Sequence, residues 1–210
     1  MTGIPFFEED EAELREAYGA PGDRIVTDSG LVGVGTSTIA GSIADAFDLE
    51  HIDAGQFFRE QAEKRGMSID EFDRRLQEIE AEEDTDFDIE WDRHVLEQAF
   101  QQDDIVFEGR LTGAVLQDIA PVRVWVECDT ATVAERLQER DTTAERIPAD
   151  ATVADLEAYV ERRNEELMAR YMDKYGIDPR DTAYYNVVID NSGELDAVQQ
   201  ELQERVADLL

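Results

Sequence analysis

The stretch "TDSGLVGVGTSTIAG", Thr27–Gly41, decides how the rest of the chain is read. It follows the outline of a phosphate-binding loop: Gly, four residues, Gly, Lys, then Ser or Thr. Gly30 and Gly35 hold the glycine positions, Ser37 the hydroxyl position, and Thr36 stands where that pattern has lysine. Gly30, Gly33 and Gly35 let successive backbone N–H groups turn inward, and the helix that follows adds the partial positive charge of its N-terminus. Thr36, Ser37 and Thr38 open that helix, and Ser37 is a candidate Mg²⁺ ligand. Losing the lysine weakens catalysis more than binding. One preorganised charge-stabilising group is worth about 10²–10³ in rate, and no Lys or Arg lies within the loop to replace it.

Working outward, "RIVTDSG" before the loop reads as a buried strand. "TSTIAGSIADAF" after it reads as a helix, with Ile39, Ile43 and Phe47 four apart. "LEHID" is a short strand and "AGQFFREQAEKRG" a helix ending at Gly66. "SIDEFDRRLQEIEAE" opens on Ser68 with Glu71 three residues on, a capping-box signature. The acidic "EIEAEEDTDFDIEW" is expected to link to a helix holding Trp91, Val95, Leu96 and Phe100. "DIVFEGR" and "VRVWVECD" are near-continuously apolar, as strands buried on both faces are. "TATVAERLQERD" is a helix, "TTAERIPADAT" a polar excursion, and residues 153–175 one long helix with the stripe Leu156, Val160, Leu167 and Tyr171. "YNVVIDNSG" is a last strand before a C-terminal helix. Strands alternating with helices, without hairpin signals, predict an α/β fold with a parallel sheet wrapped by helices.

With 42% hydrophobic residues in 210, the chain is long enough for one substantial core. Its net charge is −33, from 52 acidic and 19 basic side chains, and Lys64 and Lys174 are its only lysines. An acidic surface of this density suits a high-salt cytoplasm, where counterions screen self-repulsion. It argues against nucleic acid as a main partner. Residues 1–22 form an acidic lead-in ending in the turn-rich "GAPGD", without the apolar centre of a signal peptide. No run has the length of a membrane span, so the expectation is a soluble, cytoplasmic protein. Cys128 has no disulfide partner, and Cys128, His51 and His94 are read as structural.

Several arginines stand at strand ends or on one helix face. Arg59 lies on the helix after the second strand, and Arg110 just past a buried strand, where ligands gather in open α/β sheets. Arg163 and Arg170 are two turns apart, about 10 Å, on the same side of the long helix. In so acidic a chain, salt bridging is the competing explanation for each.

Taken in order, these pieces resemble the archaeal cytidylate kinases, within the P-loop nucleoside monophosphate kinases. The resemblance covers residues 24–210. It rests on the loop, on "DAGQFFREQAEKRGMSIDEF", on "DDIVFEGRL", on "AERLQERD", on "RRNEELMARYMDKYGID" and on "YYNVVIDNS". It implies a three-layer fold with a five-stranded parallel sheet, a helical monophosphate-binding insert at about 53–101 and a lid at about 140–165. The acidic lead-in, residues 1–22, stands outside the domain spanning 23–210. The implied reaction moves the γ-phosphate of ATP, with Mg²⁺, to CMP or dCMP. The loop and Ser37 would hold ATP and metal. Asp53, Gly55, Arg59 and Arg110 would hold the acceptor, Arg140, Arg163 and Arg170 would close on the transferring group, and Glu108 would hold a metal-bound water or be structural. A carboxylate at Asp53 repels an acceptor phosphate or accepts from the amino group of a base. Two readings stay open: a kinase that works without the loop lysine, and a pseudokinase that binds nucleotide or a protein partner, the latter through the acidic lead-in.

Overall fold

A computed structural model describes residues 4–139 and 151–210. The sheet has five parallel strands, β1 (Ile25–Gly30), β2 (Glu50–Asp53), β3 (Ile105–Glu108), β4 (Val122–Glu127) and β5 (Val187–Asp190), in the order β2-β3-β1-β4-β5. Every pair is parallel, as the alternation of strand and helix predicts. From β1 the chain goes first to the edge strand β2, returns to β3 beside β1, and then fills the other side with β4 and β5. The loop after β1 therefore sits where strand order reverses, the place at which open sheets form a crevice beyond their carboxyl ends.

Nine α-helices cover the sheet among the described residues: α1 (Glu8–Tyr18), α2 (Thr36–Phe47), α3 (Ala54–Lys64), α4 (Ile69–Glu83), α5 (Phe87–Gln101), α6 (Thr112–Val115), α7 (Thr130–Glu139), α8 (Val153–Tyr175) and α9 (Leu195–Ala207). Val26, Val106, Val124 and Ile189 bury one face of the sheet against Ile39 and Ile43 of α2 and Leu202 of α9. Ile25, Ile105 and Phe107 bury the other against Leu96 and Phe100 of α5 and Leu167 and Tyr171 of α8. Layers of helix, sheet and helix result, with the central strands buried on both faces. Two smaller cores stand apart from these. Phe72, Leu76, Ile79 and Phe87 join α4 to α5, and Ala134 and Leu156 join α7 to α8.

The helix boundaries follow the capping chemistry. Thr152 and Asp155 form a reciprocal capping box at the start of α8, and Gly176, at φ +70°, ends it. Ser68 accepts from the Glu71 N–H at 3.2 Å and caps α4. The acidic stretch expected to be a linker is largely helical: α4 runs to Glu83, Asp84 turns at φ +51°, and Asp86 already caps α5. The acidic lead-in is woven into the core. Ile4 and Phe7 are fully buried in the cluster that holds Phe100 and Tyr171, Arg93 pairs with Asp10 at 3.2 Å, and the Arg15 guanidinium lies over Phe100.

Candidate functional site

The loop between β1 and α2 takes its shape from close packing as well as glycine. Gly33 and Gly35 have φ of +81° and +96°, a region that side chains disfavour. A Cβ on Gly33 would meet Val133 Cγ1 at 2.6 Å, and one on Gly35 would meet Asn191 Nδ2 at 2.5 Å. Asn191, from the end of β5, donates to the Val34 carbonyl at 2.8 Å. Asn164, on α8, accepts the Val32 N–H at 3.0 Å. The next five backbone N–H groups, from Gly33 to Ser37, have no acceptor among the described residues. Unpaired amides in succession at a helix N-terminus form an anion cradle.

Glu108, the last residue of β3, faces this cradle from below. Its Oε1 accepts from Ser37 Oγ at 2.6 Å and from Thr36 Oγ1 at 2.9 Å, and its Oε2 lies 3.0 Å from His51 Nε2. Burial raises the Glu108 pKa, but the bonds from His51, Ser37 and Thr36 outweigh it and hold the acid below the ordinary carboxylate range. The same bond raises the pKa of His51 against the opposing effect of burial. Thr36 therefore supplies a hydroxyl to the carboxylate where the loop pattern has an ammonium. On the neighbouring strand Asp28 pairs in register with Glu108. It is fully buried, and neither carboxylate oxygen has a hydrogen-bond partner. Burial, then the Glu108 charge, pushes its pKa far up.

At the carboxyl ends of β2 and β3 stand the residues expected to meet the acceptor. Asp53 is the N-cap of α3 and accepts from the Gln56 N–H at 2.7 Å. It also faces Arg59 at 3.4 Å. Gly55 leaves room for that pair, since a Cβ there would lie 2.8 Å from Asp53 Oδ1 and 3.0 Å from Arg59 Nη1. Arg110 is exposed and makes no hydrogen bond or ion pair among the described residues. In a chain with 52 acidic side chains, salt bridging is the default for an arginine, and Arg110 stands outside it among the described residues. Arg163 faces Glu166 at 3.4 Å, and Arg170 Nε lies 3.3 Å from Asp88. Arg140 falls outside the described residues. Lys64 is exposed in the last turn of α3, and Lys174 is bound between Asp86 and Asp88.

A cavity of about 390 Å³ opens beside the loop at the ends of β4 and β5, lined by Leu31, Val34, Cys128, Arg180 and Ser192 among others. Sequence reasoning missed this cavity's walls, and it also missed His51, Asn164 and Asn191. His51 carried one usable signal, its place two residues before Asp53 in a short strand. The two asparagines carried none, because their partners are loop backbone atoms distant in sequence.

Residues 25–193 match the cytidylate kinase-like family. The cytidylate kinase of Methanopyrus kandleri is 33% identical over 177 residues, 80% of this chain and 84% of that protein. That of Halorubrum lacusprofundi is 38% identical over 162 residues, 77% and 78% of the two chains. Among solved structures, a shikimate kinase from Bacteroides thetaiotaomicron superposes with a TM-score of 0.59 at 13% identity, covering 89% of this chain and 97% of that one. A gluconokinase from Sinorhizobium meliloti gives 0.52 at 18%, covering 90% and 94%. The second pair establishes the fold and the first the lineage: the chain belongs to the cytidylate kinase-like family.

Proposed function

We propose that the protein is a nucleoside monophosphate kinase that transfers the γ-phosphate of ATP to CMP or dCMP, with Thr36 in the place of the loop lysine. The observation that carries this is the run of unpaired N–H groups from Gly33 to Ser37 set over Glu108, in a chain whose relatives bear the name cytidylate kinase. The cradle binds the donor's phosphates through its amides, and Gly30, Gly33 and Gly35 keep side chains out of the way. Thr38, in the first turn of α2, belongs to the same binding loop.

The residues also fit a divalent cation. Ser37 Oγ and Glu108 Oε1, hard oxygen donors 2.6 Å apart, are the groups that would hold Mg²⁺, directly or through water. When bound, the ion neutralises phosphate charge during transfer. Arg110 and Arg59 orient the acceptor phosphate; Arg110 has no competing partner among the described residues, while Arg59 must leave or share Asp53. Asp53 itself is occupied by its capping bond, which fits a role in shaping the start of α3. Arg163 and Arg170, with Arg140 from the lid at about 140–165, stabilise the charge that builds up on the transferring group. The helices from residue 53 to 101 form the acceptor insert.

The second reading, a pseudokinase, draws on one observation: no lysine is at the loop, Lys174 being tied to two carboxylates. Steady-state CDP formation from ATP and CMP in molar KCl with Mg²⁺ decides between them, for wild type and Thr36→Lys. Turnover in the wild type is the expected outcome. Turnover that appears only in Thr36→Lys would assign the protein to the second reading.

A further inference from the structure

Three acids in the first turns of α5 meet three residues on the last turns of α8. Lys174 Nζ donates to Asp86 at 2.5 Å and to Asp88 at 2.9 Å. Tyr175 OH donates to Asp92 at 2.7 Å, and Arg170 Nε faces Asp88 at 3.3 Å. The Asp88 side chain is only 7% exposed. A carboxylate buried that deeply needs a counter-charge, and Lys174 already provides one at the shorter distance. Arg170 is thus surplus to that need. Asp88 faces its Nε edge and the Tyr171 ring lies 5.5 Å from its Cζ, whereas among the described residues no hydrogen bond joins its two terminal nitrogens to a carboxylate. The Nε contact is one of charge, without an aligned hydrogen bond. A planar guanidinium held along one edge presents the opposite fork to a phosphate.

We propose that Asp88 is a positioning residue of the transfer reaction: it fixes the Nε edge of Arg170 so that the terminal nitrogens meet the transferring phosphate. It thereby ties α5, on the acceptor side, to α8, which carries the phosphate-facing arginines. This rests on the kinase reading above.

The test is a double-mutant cycle of Asp88→Asn, Arg170→Ala and the pair. It is read on kcat and KM for CDP formation and on the Kd of a cytidine–adenosine pentaphosphate bisubstrate with Mg²⁺. Asp86 remains as counter-ion to Lys174 in each variant. Arg170→Ala is expected to lower kcat on the order of 10²-fold, and Asp88→Asn about 10-fold with both KM values within about two-fold. The pair should be no worse than Arg170→Ala alone, and Asp88→Glu should recover part of the loss. If Asp88→Asn fails to fold, Arg170→Lys serves instead: it keeps the charge beside Asp88, has no Nε edge, and should fall with Arg170→Ala. Additive losses, a wild-type kcat in Asp88→Asn, or full activity in Arg170→Lys would overturn the proposal. A wild type that makes no CDP but binds the bisubstrate overturns the kinase reading alone. The same cycle on Kd then decides, non-additive losses supporting the proposal and additive ones overturning it. A wild type that does neither overturns both.

Discussion

At Glu108 one carboxylate gathers Thr36, Ser37 and His51, so its charge is the hinge of the loop's chemistry. Glu108→Gln keeps the shape and removes the charge; kcat for CDP formation should fall about 10²-fold or more, with little loss of fold. Gly33 offers a contrasting case. Gly33→Ala adds a Cβ within 2.6 Å of Val133 at φ +81°, which should cost about 1–3 kcal/mol. Thermal unfolding should register this as a midpoint lower by several degrees. Both glycine and hydroxyl positions were legible in the sequence, since a strand, a glycine-rich turn and a helix follow one another without interruption. His51 was not, because what gives it a role is its register beside β3, and register is set by the folded sheet. The same holds for Asp28. In sequence it is the middle of three polar residues, Thr27 to Ser29, at the end of a short strand; in the fold its neighbour is Glu108.

Among the elements, α8 was readable to its ends, Val153 to Tyr175, because its apolar stripe, capping threonine and terminal glycine all agree. The segment from Glu78 to Trp91 was not. Its acidic run reads as loop, yet Leu76, Ile79 and Phe87 bury enough apolar surface to keep both helices, and the break shrinks to Asp84–Asp86. The short helix α6 had no signal either, being one turn packed between β1 and α5. Where α5 meets α8, burial pushes the Asp92 pKa up to about 8, against the opposing bond from Tyr175. The folded state therefore keeps a proton that the unfolded chain gives up near its ordinary value of 3.8. That contribution is fully present at the acid end and is lost as pH rises towards 8. Relative to Asp92→Asn, the wild type should lose stability steadily over that interval, as chemical denaturation at a series of pH values would reveal.

At the scale of the molecule, the lead-in proves to be a structural part of the body. Phe7 is fully buried, and Phe6 and Phe7 both pack on Tyr175 of α8, at 5.7 and 6.0 Å between ring centroids. Phe7→Ala should cost about 3–5 kcal/mol, measured by denaturant unfolding. A silent change there would mean the segment only rests on the surface. The sequence disguised this because three apolar side chains, Ile4, Phe6 and Phe7, precede a long acidic run that dominates the composition. The net charge of −33 carries its own prediction. Raising KCl from about 0.1 M to 2 M shortens the screening length from about 10 Å to below 3 Å, so the unfolding temperature should climb with salt. Asn164 has a quieter consequence. Its bond to the Val32 N–H ties the middle of a 23-residue helix to the mouth of the loop. If phosphate capture displaces that helix, reciprocity requires that a molecule bound at its far end, where Lys174 and Tyr175 are moored, change the loop's affinity for phosphate by the factor by which phosphate changes the affinity for that molecule.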